Sequence, residues 1–267
     1  MLRRMELSDA ARAVALAARA AGGRALVVGG AVRDRLLGLQ PADFDIEITG
    51  VDASRVLTFA DGLGEVRDVG KTFGVLECRM GSGVLHISVP RRESKIAPGH
   101  QGFLVGTDPT MSPAEAARRR DFTINAIAED PLTKEILDPF RGRDDLERRV
   151  LRVMDADTFG DDPLRVLRGG VFAAQFGLSV EPATDALLRQ TAPSLRELPA
   201  ERIGQEWRKL LLRSSEPSVG LRLFMEWGVF AILHPEFSQL PDLPQNPRWH
   251  PEGDVWTHTK MAVDEAA

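Results

Sequence analysis

Residues 24–49, RALVVGGAVRDRLLGLQPADFDIEIT, contain the pattern that decides the fold. RALVVGG predicts a short buried strand that ends at two glycines. AVRDRLLG then predicts about two helical turns, closed by Gly38. After a turn at Pro41, DFDIEIT alternates in polarity, which predicts a second strand.

On either side of this pattern the sequence predicts further elements of a small sheet. The N-terminal stretch predicts a helix that ends at Gly22 and Gly23, and residues 51–60 predict another. Residues 65–90 predict strands joined by a hairpin turn at Gly81-Ser82-Gly83. Residues 91–112 are rich in Gly, Pro and basic residues, and they predict an irregular, mobile loop.

From Ser112 onward the sequence pattern changes from one typical of strands to one typical of helices. SPAEAARRRDFTINAIA opens with a Ser-Pro-x-Glu helix start, the short segment KEILDPFRG follows, and the remainder to about residue 234 predicts helices. Strands therefore come first and helices afterwards. This order predicts an α+β chain, with a small mixed β-sheet in an N-terminal head and an all-helical remainder.

Composition limits the classes of protein that the chain can represent. Of its 267 residues, 43% are hydrophobic and 27% charged, typical of a water-soluble protein. No run of about 18 apolar residues occurs, so we expect no membrane partner. The single cysteine, Cys78, excludes an internal disulfide and a multi-cysteine metal site, and it fits a reducing cytoplasm. The oligomeric state is left open.

The charge balance gives no general signal for nucleic acid. The net charge of −5 argues against a generic nucleic-acid binder, although phosphates respond to local patches. Basic residues do cluster, and a solvated helix face remains the alternative interpretation of each cluster. The clusters are Arg91, Arg92 and Lys95; Arg118, Arg119 and Arg120; Arg141 and Arg143; and Arg148, Arg149 and Arg152.

An acidic pair and a glycine turn carry the first chemical signal. Asp43 and Asp45 are two residues apart on the predicted strand, so their side chains share a face. A pair of this kind suits Mg²⁺, which takes carboxylate and phosphate oxygens. Gly29 and Gly30 let the backbone approach a triphosphate at a helix N-terminus, where Arg33 adds charge. Two exposed strand residues are the alternative for the acidic pair alone.

Five motifs in order resemble one family. GGAVRD at 29–34 with DFD at 43–45, RRDFTINAIA at 119–128, DPFRGRDDLERRVLR at 138–152, DDPLRVLR at 161–168 and ERIGQEWRKLL at 201–211 occur along nearly the whole chain. Together they are similar to the class II tRNA CCA-adding enzymes and bacterial poly(A) polymerases. The resemblance implies a nucleotidyltransferase head at 1–138, a helical neck at 139–200 and a helical body at 201–267.

The resemblance also implies site residues. Asp43 and Asp45 would be the catalytic metal ligands. The nucleotide would be bound by Gly29, Gly30, Arg33, Arg119, Arg120, Asp121, Asn125, Asp162, Arg165 and Arg168. Arginine forks suit phosphate and ribose oxygens, although a basic helix surface is the alternative for Arg119 and Arg120.

The DDPLR motif has two interpretations. Asp162 can cap a helix that starts at Pro163, which makes the motif structural. The resemblance implies that Asp162 and Arg165, on one helix face, select the incoming base. Two positions depart from the family pattern: Asp161 stands where glutamate is usual, and Val171 where arginine is usual. Their effect on nucleotide choice is left open.

The C-terminal residues WHPEGDVWTHTKMAVDEAA, at about 248–267, resemble the start of an HD phosphohydrolase domain, with His258 as its first metal ligand. The chain ends before any His-Asp pair, so we expect no complete site of this type within it, and a surface histidine is the favoured interpretation.

The expected function follows from the resemblance. The chain would add CMP, AMP or both, from CTP and ATP, to the 3′ end of tRNA or of another RNA in the cytoplasm, with Mg²⁺ as cofactor. A poly(A) polymerase is the alternative within the same chemistry. A non-catalytic RNA-binding relative and an HD-type phosphohydrolase are the alternatives outside it.

Overall fold

A computed structural model describes residues 7–41, 43–68, 75–80, 83–95 and 103–267. The chain forms two compact units, Met1–Asp144 and Asp145–Ala267. Strands dominate the first unit and helices the second, which confirms the predicted α+β class with a head sheet. The boundaries expected for head, neck and body stay a prediction.

The first unit contains most of the strands. Its helices are α1 (Leu7–Ala20), α2 (Gly30–Leu36), α3 (Ala53–Asp61) and α4 (Pro113–Ala117). Its strands are β1 (Arg24–Val28), β2 (Phe44–Thr49), β3 (Glu65–Asp68), β4 (Val75–Met80), β5 (Gly83–Ser88), β6 (Arg91–Lys95), β7 (Phe103–Thr107), β8 (Ala128–Glu129) and β9 (Ile136–Leu137). A short 3₁₀ helix spans Thr123–Asn125, and α5 (Gly142–Glu147) contains the division point between the units.

The head sheet is mixed. Among the described residues, seven strands pair in the order β3-β4-β5-β2-β1-β8-β9. The β2–β5 pair is parallel, whereas the other neighbours are antiparallel. The parallel pair sets Asp45 beside His86. Strand β5 lies far from β2 in sequence. The sheet therefore brings residues that are distant in the chain, such as Asp45 and His86, next to each other.

Alternation along the strands gives the sheet one apolar face. Ile46 and Ile48 of β2 and Leu85 and Ile87 of β5 are fully buried in a core cluster that also contains apolar residues of α1 and α3. Each such side chain contributes about 1.5–3 kcal/mol when it leaves water. Cys78 of β4 is buried in the same cluster. The residues between these positions, including Asp45, Glu47 and His86, therefore lie on the opposite face.

Two expectations for this unit need correction. Residues 91–112 were expected to be irregular, but β6 and β7 pair antiparallel within that range. Strand β6 has the sequence RRESK and so lacks the apolar alternation that predicts a strand, and FLVGT of β7 does not alternate either. Residues 96–102, which the mobility prediction also covers, lie outside the described part of the chain. The helix that opens at Ser112 has its predicted capping box but ends at Ala117, before the three arginines.

Helices dominate the second unit. They are α6 (Ala156–Phe159), α7 (Leu164–Phe176), α8 (Pro182–Thr191), α9 (Ala200–Arg213), α10 (Pro217–Glu226), α11 (Val229–Leu233) and α12 (Val255–Glu265). Short 3₁₀ helices span Ala192–Glu197 and Phe237–Gln239, and β10 (Val150–Leu151) pairs in parallel with β11 (Ser179–Val180).

Helix α7 packs against α10 and α9 through small residues and aromatic rings. A Cβ atom at Gly170 would lie 2.3 Å from Phe224 Cε1, so the glycine lets the phenyl ring reach the helix backbone. Phe224 in turn packs against Trp207 in a T-shaped arrangement, with ring centroids 5.3 Å apart. Helix α7 ends where Gly177 adopts a left-handed conformation, with φ +60°.

Candidate active site

The glycine turn lies beside the acidic pair and an arginine. Gly29 joins β1 to α2 with φ +71°, a conformation that residues with a Cβ rarely adopt. A Cβ built there would lie 3.0 Å from Arg120 Nη1 and 3.8 Å from Asp45 Oδ2. The absence of a side chain therefore keeps a gap open between a cation and an anion, at the N-terminus of a helix.

The two aspartates stand at the start of β2. Asp43 immediately precedes the strand and Asp45 lies within it, so only the second is a strand residue, contrary to expectation. Both are exposed. Desolvation and the charge of Asp43 raise the pKa of Asp45, while His86 and Arg120 oppose the shift. Because the Asp45 side chain is 55% exposed, water weakens these effects. A divalent cation would relieve the repulsion between the carboxylates, and it suits their oxygen donors.

A buried glutamate fixes the two arginines. Glu47 follows Asp45 by two residues on the same strand face and is 4% exposed. Its Oε2 accepts a hydrogen bond from Arg119 Nη2 at 3.2 Å and lies 3.9 Å from Arg120 Nη2. Burial lowers the pKa of Arg120 and the charge of Glu47 raises it, and an arginine stays cationic at neutral pH. The pair of guanidinium groups is thus held against the sheet by one carboxylate.

Arg33 lies in a network of its own. Its side chain is buried, Nη1 donates to Asn125 Oδ1 at 2.6 Å, and Nε and Nη2 donate to Asp34 Oδ1. Asn125 donates in turn to Asp121 Oδ1 at 2.9 Å, which also accepts from the Phe122 N–H. These contacts tie α2 to the segment after α4. Arg33, Asp121 and Asn125 were expected to bind the nucleotide. These contacts give them a structural role as well.

Glu47 and His86 were missed in the sequence. Glu47 continues the alternation of DFDIE, and that spacing was a usable signal. His86 Nδ1 lies 3.4 Å from Asp45 Oδ1, although the two residues are far apart in the chain. No local pattern could have found this contact, because it depends on β5 pairing with β2.

The DDPLR residues lie in the second unit, where they are held by protein partners. Asp162 Oδ1 accepts from the Leu164 N–H at 3.2 Å, and its Oδ2 accepts from Arg202 Nη2 at 2.8 Å. Arg165 Nη1 donates to the carbonyl oxygen of Thr158 at 2.9 Å. Arg168 lies over the ring of Phe172, with Cζ 4.9 Å from the centroid. Helix α7 begins at Leu164 with Pro163 as its N-cap, so the prediction of Asp162 as N-cap and Pro163 as first helical residue is wrong by one position. The hydrogen bond from the Leu164 N–H still ties Asp162 to the start of the helix.

His258, near the C-terminal end of the described chain, lies beside a carboxylate. His258, in the first half of α12, places Nδ1 2.5 Å from Glu252 Oε1, and His250 Nδ1 lies 3.1 Å from the same oxygen. The backbone N–H of Glu252 and the two histidines lower the pKa of this carboxyl to about 2. His258 is 47% exposed, so it lies at the surface as expected, but in an ordered cluster.

Two family models match the chain. The poly(A) polymerase head domain matches residues 25–152, and the probable RNA- and SrmB-binding site of polymerase A matches residues 177–240. The chain therefore contains a head domain and an RNA-binding segment of the poly(A) polymerase type. The head model covers the glycine turn, the acidic pair and the arginine pair.

Curated proteins of similar sequence are named multifunctional CCA proteins. A multifunctional CCA protein of Xanthomonas campestris is 40% identical over 247 residues, and one of Thioalkalivibrio sulfidiphilus is 38% identical over 252 residues. Both alignments cover 90% of this chain and 58% of the relative. The chain thus spans less than two thirds of the length of these curated relatives.

Solved structures of the family share the fold. The CCA-adding enzyme of Bacillus stearothermophilus, in complex with CTP, superposes with a TM-score of 0.73 at 27% identity, covering 90% of this chain and 59% of the other. That of Thermotoga maritima, complexed with tRNA, gives a TM-score of 0.69 at 27% identity, covering 90% of this chain and 54% of the other. Nucleotidyltransferases of this family generally use divalent metal ions. No helix in the described ranges is both long and apolar enough to cross a membrane.

Proposed function

We propose that this chain is a template-independent nucleotidyltransferase that adds CMP, AMP or both, from CTP and ATP, to the 3′ end of tRNA and releases pyrophosphate. One observation carries the proposal: Gly29 keeps a gap open between Asp45 and Arg120, with a Cβ position 3.8 Å and 3.0 Å from their polar atoms. A carboxylate for a metal ion and a guanidinium for phosphate oxygens thus flank a bare backbone turn. The relatives that were solved with CTP and with tRNA support this substrate class.

We assign the metal to the acidic pair. Asp43 and Asp45 would hold Mg²⁺, the metal inferred from the sequence, because both are exposed carboxylates whose mutual repulsion a cation relieves. When bound, Mg²⁺ would lower the pKa of the attacking 3′-hydroxyl and neutralise charge on the triphosphate. The cytoplasm is the proposed compartment, in keeping with the free thiol of Cys78.

The remaining residues of the head would position the nucleotide. Arg120, with Nη1 beside the Gly29 turn, is placed to bind phosphate oxygens, and Arg119 shares its Glu47 anchor. Gly29 and Gly30 would let the phosphates approach the N-terminus of α2. Arg33, Asp121 and Asn125 would contribute indirectly. Their hydrogen bonds would hold in place the segment that carries Arg119 and Arg120.

Removal of one metal ligand tests this site. Asp43→Ala and Asp45→Ala should each lower incorporation of labelled CMP and AMP about a hundredfold or more, since a lost ligand removes several kcal/mol of transition-state stabilisation and each ~1.4 kcal/mol is a factor of ten. The matched control is Asp52→Asn, which alters an exposed aspartate in the same unit that makes no side-chain capping bond. Near-normal transfer by Asp43→Ala or Asp45→Ala at saturating Mg²⁺ would remove the basis for the assignment.

The substrates decide between the family's activities. We would offer tRNA transcripts that end before CCA, after its first C or after its second C, with CTP and ATP separately, and then size the products. Stepwise addition that stops after CCA supports the proposal, whereas long adenylate tails would indicate a poly(A) polymerase. Binding of tRNA without incorporation would indicate a non-catalytic relative.

We further propose that Asp162 and Arg165 select the base and that Arg168 assists them. Cytosine and adenine both carry an exocyclic amino group that a carboxylate can accept from, whereas uracil and guanine place a carbonyl there. An ionised carboxylate offers about four lone-pair sites, so Asp162 can accept another hydrogen bond while it holds Leu164 and Arg202.

Two variants separate base selection from helix capping. Asp162→Asn should raise the use of UTP or GTP relative to CTP and ATP, because an amide can also donate. Arg202→Gln is the matched control, since it removes the partner of Asp162 Oδ2 but keeps the carboxylate. Equal nucleotide preferences in Asp162→Asn and wild type, with similar losses of stability in both variants, would make the motif structural.

A further inference from the structure

One imidazole stands next to the proposed metal site. His86 lies on β5, in parallel register with Asp45 on β2, and its Nδ1 is 3.4 Å from Asp45 Oδ1. Its strand neighbours Leu85 and Ile87 are fully buried in the core, so the ring lies on the same sheet face as Asp45. The ring is 34% exposed and is therefore open to a bound ion.

The spacing of the two donor atoms suits a shared metal ion. Two ligand atoms bound to one ion at about 2.0–2.2 Å lie roughly 3.0–3.5 Å apart in octahedral or tetrahedral geometry. The separation of 3.4 Å between His86 Nδ1 and Asp45 Oδ1 falls in that range. An ion pair between the two side chains, without a metal ligand role for the histidine, is the alternative that a test must exclude.

We propose that His86 is a third metal ligand, and that its nitrogen shifts the site's preference from Mg²⁺ toward Mn²⁺. Mg²⁺ prefers oxygen ligands, whereas imidazole suits transition-metal ions and Mn²⁺ also accepts carboxylate oxygens. The donor pair of Asp45 and His86 thus joins a carboxylate oxygen to an imidazole nitrogen, and Asp43 offers a further carboxylate two residues from Asp45. This inference rests on the proposed metal role of the two aspartates.

The test is a direct measurement of metal binding to the full chain without nucleotide. Electron spin-echo modulation of bound Mn²⁺ reports a directly coordinated ¹⁴N nucleus, and calorimetry gives the Kd values for Mn²⁺ and Mg²⁺. All proteins should carry Glu252→Gln, because His250, Glu252 and His258 form a second cluster that could bind an ion. The variants are His86→Glu, which keeps a ligand but makes it oxygen, and His86→Asn, which shortens the side chain.

We expect a ¹⁴N signal with wild-type His86 and its loss in both variants. The ratio of the Mg²⁺ Kd to the Mn²⁺ Kd should fall about tenfold in His86→Glu, because the oxygen ligand restores Mg²⁺ binding. A missing ¹⁴N signal in the presence of His86, a signal that persists in His86→Glu, or an unchanged ratio of Kd values would each overturn the proposal.

The outcome is separable from that of the proposed function. Transfer that requires Asp45 but shows no ¹⁴N signal would leave the nucleotidyltransferase intact and refute the role of His86. A ¹⁴N signal lost with His86, in a protein that incorporates no nucleotide, would support the ligand and refute the activity.

Discussion

Replacement of Gly170 by alanine tests the packing of the second unit. An ideal Cβ at this position lies 2.3 Å from Cε1 of Phe224 and 3.0 Å from Cδ1 and Cζ of the same ring. Ordinary carbon contacts are about 3.5–4.0 Å, so the ring would have to move by more than about 1 Å. Phe224 is 1% exposed, and Trp207 packs against it in a T-shaped arrangement, so the ring has little room to move.

Two opposite effects set the magnitude. Alanine in place of glycine inside a helix gains up to about 1 kcal/mol. Overpacking a buried site costs about 1–3 kcal/mol, and an overlap of this size belongs at the upper end. The net result for Gly170→Ala is a loss of about 2 kcal/mol of unfolding free energy.

Gly204→Ala is the matched control. Gly204 lies inside α9, and its ideal Cβ has no neighbouring atom within 4 Å. This variant makes the same chemical change in a helix of the same unit without the overlap. It should therefore keep the propensity gain and become more stable by up to about 1 kcal/mol.

Urea unfolding followed by tryptophan fluorescence measures both variants. The four tryptophans are Trp207, Trp227, Trp249 and Trp256, so the signal comes from the second unit. With a slope of about 1–3 kcal/mol per molar urea, the midpoint of Gly170→Ala should fall by about 1 M. A midpoint for Gly170→Ala at or above that of wild type, with an unchanged slope, would refute the reasoning.

Three further outcomes are expected. Ser112→Ala should cost about 1 kcal/mol because it breaks the capping box of α4, and no change in the unfolding of the first unit by circular dichroism would contradict this. Asp45→Asn should raise the melting temperature of metal-free protein at pH 7, because desolvation and the charge of Asp43 raise the pKa of Asp45 and so make its charged form unfavourable. This gain in melting temperature should vanish as the pH falls through the pKa of Asp45. Added Mg²⁺ should stabilise wild type but not the variant. Glu252→Gln should lower stability most above pH 4.5, since the pKa of Glu252 is lowered to about 2, and the difference from wild type should narrow as the pH falls toward 2; a constant difference in urea midpoints between pH 6 and 3 would count against it.

Local pattern predicted the elements that are contiguous in sequence. Strand β1, helix α2 and strand β2 follow one another directly, and their turn residues and alternation are visible within residues 24–49. Gly29 lies close to Asp45 because it directly follows β1, whose last residue, Val28, pairs with Asp45 of β2.

Long-range pairing decided the rest. His86 reaches Asp45 only because β5 pairs with β2, and Arg33 meets Asn125 across 92 positions of sequence. Strands β6 and β7 were not predicted, because charged and polar residues dominate β6 and the pairing of the two strands leaves no apolar alternation in the sequence. Partner choice, rather than propensity, set these contacts.

The single thiol of the chain makes the first unit accessible to a labelling experiment. Cys78 is fully buried, its sulfur lies 3.9 Å from the carbonyl oxygen of Ala60, and burial raises the pKa of the thiol. A disulfide reagent attacks the thiolate, so labelling must wait until β4 separates from its neighbours and water enters. Since the chain has no other cysteine, the labelling rate in native buffer reports how often the core around β4 opens, which gives the first unit a probe separate from the tryptophans of the second.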